Sequence, residues 1–258
     1  MLVHEFGDIK NPVILLLPGT ACYWKANFGH VIDELSRGFL VAVVSYTGFD
    51  ENDTAVFQSV TKEVELIEDC VNEHYGGRIL CAYGCSLGGS LVGLLAQRKH
   101  IFMKYGILGS SDLDQSSAFI AGLTGKLFAD LVYPLIHEGH FKNRLLQKRF
   151  EKRMAEDDPY NQAFMRIIRK DEQDMRFLSK KSLYNQFVSD LVTPLDDNID
   201  NGFTKIHIFY AMKMGEKYRG RYLKHFRDPI IHEHDLRHEE LLAVYPEQWC
   251  QLIREICL

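Results

Sequence analysis

The sequence predicts an α/β protein in which a mostly parallel, doubly wound sheet is interrupted by a block of helices. In the first part of the chain, short runs that are apolar throughout alternate with segments of helical period. Such runs are typical of parallel strands buried on both faces, and their alternation with helices favours a sheet covered on both sides. From about 112 to 201 the pattern is helical and more charged, and strand signals return after Gly202.

Each predicted strand is a short apolar run bounded by turn residues or polar segments. The strands are predicted over 12–17, 39–44, 78–83, 102–108, 205–211 and, from a weaker pattern, 229–234. Apolar residues three and four positions apart predict the core helices over 26–35, 54–73, 87–98 and 246–256. Gly76 and Gly77 would end the second of these helices, because glycine adopts the left-handed conformation that terminates a helix.

The helical block is predicted to form a cap that is inserted into the sheet domain. Amphipathic helices are predicted over 118–136, 141–155, 159–169 and 174–192. The core would then comprise 1–111 and 202–258, and the helical cap or lid 112–201. The stretch 142–152 is dense in basic residues, but the acidic residues close to it favour a solvated helix face over an anion-binding site.

Composition and charge are those of an ordinary globular chain. Its 258 residues are 46% hydrophobic and 25% charged, which is ample apolar material for a core. The formal net charge of −5 gives no support to a nucleic-acid or anionic-membrane partner, because both favour basic surfaces. The apolar run 13–17 is far too short to span a bilayer, and no signal peptide is expected. Six cysteines without a Cys-x-x-Cys pair indicate free thiols and a cytoplasmic protein.

The segment 84–88, Gly-Cys-Ser-Leu-Gly, lies between a predicted buried strand and a predicted helix. A nucleophilic serine at a sharp strand-to-helix turn needs small residues two positions before and after it, and here these are Gly84 and Gly88. The N-terminus of the helix that follows would favour negative charge at the site. Ser86 is therefore predicted to be a nucleophile, with a polar residue in a glycine-rich turn as the alternative. Cys85 fails the same spacing rule, because tyrosine and leucine flank it where small residues are needed.

On these residues the chain resembles the α/β-hydrolases. The elbow 84–88 matches the nucleophile motif of the family, and the segment 17–20, Leu-Pro-Gly-Thr, resembles the loop that supplies one oxyanion-hole N–H. His238, which precedes the predicted terminal helix, resembles the C-terminal catalytic histidine of the family. The resemblance covers roughly 11–112 and 203–256, and the helical block falls where such enzymes insert a cap or lid.

The resemblance implies a role for each matching residue. Ser86 would attack the substrate, and His238 would act first as general base and then as general acid. The backbone N–H of Leu87 would form half of the oxyanion hole, and that of Thr20, or alternatively Ala21, the other half. A surface histidine on a charged loop is the alternative for His238. The chemistry needs no cofactor.

The family usually places the triad acid just after the strand that follows the cap. Here that strand is the one predicted over 205–211, and Glu216 lies in the loop after it, although the common Gly-x-x-Asp pattern is absent. Glu216 is therefore the predicted acid, with a solvated charge as the alternative. Some relatives carry the acid one strand earlier, which keeps Asp112 and Asp114 open, with Asp112 as the next choice.

These residues predict a serine hydrolase that cleaves a small acyl substrate, a carboxylic ester first of all, through an acyl-enzyme. A peptidase or thioesterase would use the same residues, and a non-catalytic binding module on this fold is the alternative from another class. His232, His234 and His238 could also suggest a metal site. We expect no metal there, because the ligand register of metallo-hydrolases is broken and no second ligand cluster is visible.

Overall fold

The computed structural model describes residues 1–168 and 175–258, with the backbone alone over 164–168. Within those residues, seven strands form one sheet in the order β1-β3-β2-β4-β5-β6-β7. The strands are β1 (Leu2–Phe6), β2 (Val13–Leu17), β3 (Leu40–Ser45), β4 (Arg78–Cys85), β5 (Phe102–Gly109), β6 (Lys205–Ala211) and β7 (Ile230–His234). β1 pairs with β3 in antiparallel fashion and every other pairing is parallel, so the predicted fold class is confirmed.

Helices cover both faces of the sheet and fill the stretch between β5 and β6. In the described ranges they are α1 (Trp24–Leu35), α2 (Val60–His74), α3 (Leu87–Arg98), α4 (Ala118–Glu138), α5 (Arg144–Met154), α6 (Pro159–Ile168), α7 (Lys180–Val192), α8 (Glu216–His225), α9 (Glu240–Val244) and α10 (Pro246–Cys257). Several elements differ from the sequence prediction, among them the short helix α9, which was not predicted. β1 and α8 were not predicted, and α2 begins at Val60 because the Ser59 side chain caps it by accepting from the Lys62 N–H at 3.1 Å.

The register of the central strands brings three loops to one edge of the sheet. Leu17 at the end of β2 lies opposite Gly84, and Cys85 at the end of β4 lies opposite Gly109 on β5. Because parallel strands end on the same side, the segments that follow them converge there, which is where ligands bind in open α/β sheets. β3, with every residue buried, lies beside β2 and helps to form a rigid base for this edge.

The inserted helices cover this edge, and α7 connects them to the core through polar contacts. The Ser182 hydroxyl accepts from the Phe57 N–H at 3.2 Å, and the Asn185 amide donates to the Phe57 carbonyl at 2.7 Å. The Ser189 hydroxyl accepts from the Val60 N–H at 3.1 Å. The ends of the predicted helices at 169 and 174 lie outside the described residues, and the domain boundaries at 111 and 202 stay a prediction.

Candidate active site

Ser86 stands at the tip of a strained turn between β4 and α3. Its backbone has φ 51° and ψ −111°, a conformation that non-glycine residues rarely adopt. A Cβ at Gly84 would lie 2.0 Å from the Gly88 carbonyl oxygen, and one at Gly88 would lie 2.2 Å from that of Leu17. Both glycines are therefore required by contact with backbone, as the predicted elbow demands. The turn presents the Ser86 side chain at the carboxyl edge of the sheet.

Ser86 and His238 line one cavity of about 350 Å³, which is the size of a small-molecule site. The opposite wall comes largely from the inserted helices and is apolar. Its apolar and aromatic members are Phe128, Val132, Leu135, Ile136, Tyr160, Met175 and Ala243. Such walls exclude water and strengthen electrostatic interactions at the reacting atoms. The arrangement suits an apolar substrate group held over Ser86.

Two backbone N–H groups near Ser86 have no hydrogen-bond partner within the described ranges. One belongs to Leu87, the first residue of α3, and the other to Thr20, which lines the cavity. The Ala21 N–H, the alternative donor, is already bound to the Gln186 side-chain oxygen at 2.8 Å. Among the described residues, Thr20 and Leu87 therefore keep unpaired N–H donors near Ser86, as an oxyanion hole would require. The role of Gln186 could not be predicted from the sequence, because this residue lies in α7, far from the motifs.

Asn27 fixes the Thr20 loop to the elbow, although the sequence analysis did not identify it. Its side-chain oxygen accepts from the Gly19 N–H at 2.8 Å, and its amide nitrogen donates to the Cys85 thiol at 3.4 Å. Asn27 is only 5% exposed, so a polar residue on the inward face of α1 was the available signal. Burial raises the pKa of Cys85 well above its usual range. The thiol stays protonated, which makes it a poor nucleophile.

His238 lies in the segment between β7 and α9 and faces the cavity. Burial lowers its pKa, whereas the charge of Asp112 and an interaction with the Ser110 backbone raise it. The imidazole is thus held near the neutral form that a general base requires. No direct hydrogen bond joins Ser86, His238 and Asp112 in the part of the chain that the structure describes. Catalytic hydrogen bonds often tighten only when substrate binds.

Asp112, and not Glu216, is the carboxylate whose charge acts on His238. Burial and the neighbouring charge of Asp114 raise the pKa of Asp112, while His238 lowers it. Glu216 is exposed at the first turn of α8, where its charge acts on Tyr210. The structure does not bring Glu216 to the cavity, because a 3-10 turn after β6 directs the chain into α8 instead of into a loop.

Asp114, the third acid considered, is engaged elsewhere. Its carboxylate pairs with the guanidinium of Arg221 on α8. The same guanidinium donates to the Asp112 backbone carbonyl at 2.6 Å, so it fixes the segment that carries both acids. This leaves Asp112 as the candidate acid.

Glu239, which follows the histidine, is half-buried beside the elbow and lines the cavity. Its Oε1 accepts from the Ser86 N–H at 3.1 Å, and its Oε2 accepts from the Tyr83 hydroxyl at 3.2 Å. Its backbone, at φ 55°, donates to the Ser110 hydroxyl at 3.0 Å. Burial raises the pKa of Glu239 to about 8. A carboxyl that is largely neutral at pH 7 leaves the site without a negative charge that would oppose an oxyanion.

Polar contacts join the inserted segment at the start of α6 to the histidine segment. The Tyr160 hydroxyl on α6 donates to the His238 carbonyl at 3.0 Å. The Arg237 guanidinium binds the Asp158 carboxylate through both terminal nitrogens, at 2.5 and 2.8 Å, and also contacts Glu240 at 3.0 Å. A bidentate pair of this kind fixes geometry as well as charge.

The histidines considered as a metal site are divided between two places. His232 lies 3.0 Å from His207 on the neighbouring strand, whereas His238 faces the cavity. Among the described residues, no group of three or more His, Cys, Asp or Glu is arranged to hold a metal ion.

Solved structures similar to this chain share its architecture. A protein from Desulfitobacterium hafniense assigned to the α/β-hydrolase family superposes with a TM-score of 0.79 at 18% identity, covering 99% of each chain. A marine microorganism esterase gives 0.71 at 15% identity, covering 100% of this chain and 98% of the other. MenH from S. aureus gives 0.69 at 12% identity, covering 98% and 96%.

This similarity establishes the fold. The chain has the α/β-hydrolase fold, as the elbow and the histidine segment suggested, and these similarities cover 99% and 100% of it. No protein-family model and no curated protein matches the sequence. Because identities of 12 to 18% leave side chains free to differ, function has to be argued from the site.

Proposed function

We propose that this protein is a serine hydrolase that cleaves carboxylic esters or related acyl substrates through an acyl-enzyme. One observation carries the proposal: the strained Ser86 shares an apolar cavity with His238, beside two backbone N–H groups that have no partner in the described residues. A nucleophile, a base and an oxyanion hole are the parts that acyl transfer needs.

The reaction proceeds in two steps. His238 takes the proton of Ser86 as its hydroxyl oxygen attacks the substrate carbonyl, and the N–H groups of Thr20 and Leu87 stabilise the oxyanion. His238 then protonates the leaving alcohol, which departs as the tetrahedral intermediate collapses to the acyl-enzyme. Water, deprotonated by His238, hydrolyses that ester and regenerates Ser86. The charge of Asp112 stabilises the imidazolium in both steps.

The cavity indicates a small substrate with an apolar acyl part. Its volume of about 350 Å³ and its wall of aromatic and aliphatic side chains offer few polar partners to a peptide. This favours an ester over a peptide bond. The similar fold of a marine microorganism esterase supports the same reaction class.

A fluorophosphonate probe tests the nucleophile. We expect labelling of the wild-type chain, loss of labelling in Ser86→Ala, and retention in Cys85→Ala, because the thiol beside the nucleophile is protonated. Hydrolysis of short p-nitrophenyl esters should fall by about 10⁵- to 10⁶-fold in the same serine variant. Equal labelling of Ser86→Ala and wild type would contradict the assignment of Ser86 as the nucleophile. Turnover of no ester, amide or thioester would favour the binding-module alternative.

A further inference from the structure

Helix α4 has apolar side chains on two opposite faces. The inner face contributes Phe128, Val132, Leu135 and Ile136 to the cavity wall. The outer face exposes five large apolar side chains to solvent. They are Phe119 (82% exposed), Ile120 (54%), Leu123 (65%), Leu127 (68%) and Leu131 (36%). We call these five residues the outer stripe.

The outer stripe is contiguous. Because a helix repeats every 3.6 residues, positions 119, 120, 123, 127 and 131 lie along one side of α4 over about three turns. Scattered exposed apolar residues are normal, whereas a contiguous patch of this kind marks an interaction surface. By length and composition α4 could cross a bilayer, but its inner face is engaged with the cavity and with α7. It therefore suits a position on a membrane surface and not across one.

Basic side chains border the outer stripe. Two acidic residues lie on this side of α4, and both have basic neighbours: Asp130 is paired with Lys180 at 2.5 Å, and Glu138 with Lys142 at 3.8 Å. The charges of Lys126 and Lys142 also lower the pKa of Asp130, after the larger effect of Lys180, so both lie nearby. The stretch 142–153, which includes most of α5, carries six Lys or Arg residues against one Glu.

The net charge of −5 therefore combines a basic stretch at 142–153 with a more acidic remainder of the chain. The basic stretch by itself is adequately explained as a solvated helix face. Its first residue, Lys142, lies near Asp130 on the side of α4 that carries the stripe, and a solvated helix face alone does not account for this proximity. An apolar surface with a Lys/Arg border is the pattern of a helix that lies in the interface of an anionic membrane.

We infer that the outer stripe and its basic border dock this protein on the surface of an anionic phospholipid membrane. Insertion of the five apolar side chains would remove them from water, and the border would meet the lipid phosphates and carboxylates. A second copy of the chain is a poorer occupant, because a two-fold contact would place the two basic borders against each other. The inference does not depend on catalysis, since no catalytic residue lies on this face.

Vesicle binding tests the inference directly. The Ser86→Ala chain, which excludes any effect of turnover, is mixed with vesicles of phosphatidylcholine alone or with 30 mol% phosphatidylserine. We expect binding to the anionic vesicles that weakens with added salt, and at least about tenfold weaker binding to the neutral ones. Leu127→Trp adds a depth probe, because the native Trp24 and Trp249 are 6% and 0% exposed. Lipids brominated on the acyl chain should quench its fluorescence.

Matched substitutions separate the stripe from general hydrophobicity. Leu123→Ser with Leu127→Ser should lower vesicle partitioning more than about tenfold. Phe203→Ser with Leu223→Ser is the matched control. These apolar side chains, 88% and 47% exposed, lie on the surface of the sheet domain, so their removal should leave vesicle partitioning unchanged. Lys126→Gln and Lys142→Gln should each lower it about fivefold, whereas Lys10→Gln should not.

Three results would overturn the inference. One is the absence of binding to anionic vesicles, and a second is binding that the stripe substitutions leave intact. The third is sedimentation of the wild-type chain as a dimer that Leu123→Ser with Leu127→Ser converts to a monomer, together with no vesicle binding. Failure of the fluorophosphonate labelling would affect none of these readouts, so the two proposals can fail separately.

Discussion

The two sides of the cavity are built in different ways. On the sheet side, Ser86 is held by backbone: Gly84 and Gly88 leave no room for a Cβ, and Asn27 holds the neighbouring loop. On the opposite side, α4 contributes side chains alone to the wall, among them Phe128 and Val132. From this comparison we expect substitutions on the sheet side to abolish activity or folding, and substitutions on α4 to change which substrate is accepted.

The largest expected effect on the sheet side is at Asp112. Asp112→Asn should lower kcat by roughly 10³- to 10⁴-fold, because an amide cannot stabilise the imidazolium of His238. The acidic limb of the pH–rate profile should also move to lower pH, since the charge of Asp112 raises the pKa of His238. Steady-state ester hydrolysis between pH 5 and 9 measures both. Glu216→Gln is the control and should stay within about twofold of wild type; a larger loss there would reverse the assignment.

Gly88→Ala should lower the free energy of unfolding by about 3–5 kcal/mol. The added Cβ would lie 2.2 Å from the Leu17 carbonyl oxygen, so strand or elbow would have to move. Gly29→Ala on α1, where a Cβ meets nothing within 4 Å, should instead be neutral or slightly stabilising. Urea unfolding of both variants gives the comparison. Equal midpoints would show that the elbow tolerates a side chain.

Glu239 should make stability depend on pH. Because the pKa of Glu239 is raised from 4.5 to about 8, the folded chain keeps a proton that the unfolded chain loses. Stability should therefore fall as pH rises through this interval, with a slope of up to ~1.4 kcal/mol per pH unit from this one group. Glu239→Gln should remove that part of the slope, and the exposed Glu247→Gln should not. Parallel profiles for wild type and Glu239→Gln would contradict the assignment.

The smallest expected effect lies on the α4 side. Phe128→Ala should enlarge the cavity and shift the preference toward longer acyl chains, by about tenfold in the ratio of kcat/KM values. Phe119→Ala, on the same helix but 82% exposed, should leave the preference unchanged with soluble substrates. A series of p-nitrophenyl esters measures the ratio. A loss of activity toward all chain lengths in Phe128→Ala would contradict the division of roles between the two sides.

The buried strands and the elbow could be predicted because local pattern determines them. Val13–Leu17 is apolar at every position, and the glycine spacing around Ser86 reflects a steric need within five residues. β1 escaped prediction because its residues, at the edge of the sheet, are mostly half-buried and give no continuous apolar run. α8 escaped because its sequence is strongly polar, with Tyr222 and His225 as its buried residues.

The carboxylates could not be assigned from sequence, since their roles depend on contacts between distant segments. Glu216 has the expected position along the chain, yet α8 places it in solvent. In the sequence Glu239 is one more charged residue in a charged loop, and its hydrogen bond with Tyr83 follows only from the fold. The choice among these carboxylates depends on distances in the folded structure, which the pattern of a single sequence does not contain.

The contacts at Tyr160 and Arg237 couple the opening of the cavity to the restraint of the His238 segment. Any motion that carries α6 away from the sheet, to admit a substrate, must break the bond to the His238 carbonyl and the pair with Asp158. The segment that carries the base is then less constrained while the cavity is open to water. In the proposed enzyme, access and reactivity would therefore oppose each other, and His238 would regain its restraints only once the contacts of Tyr160 and Asp158 had formed again.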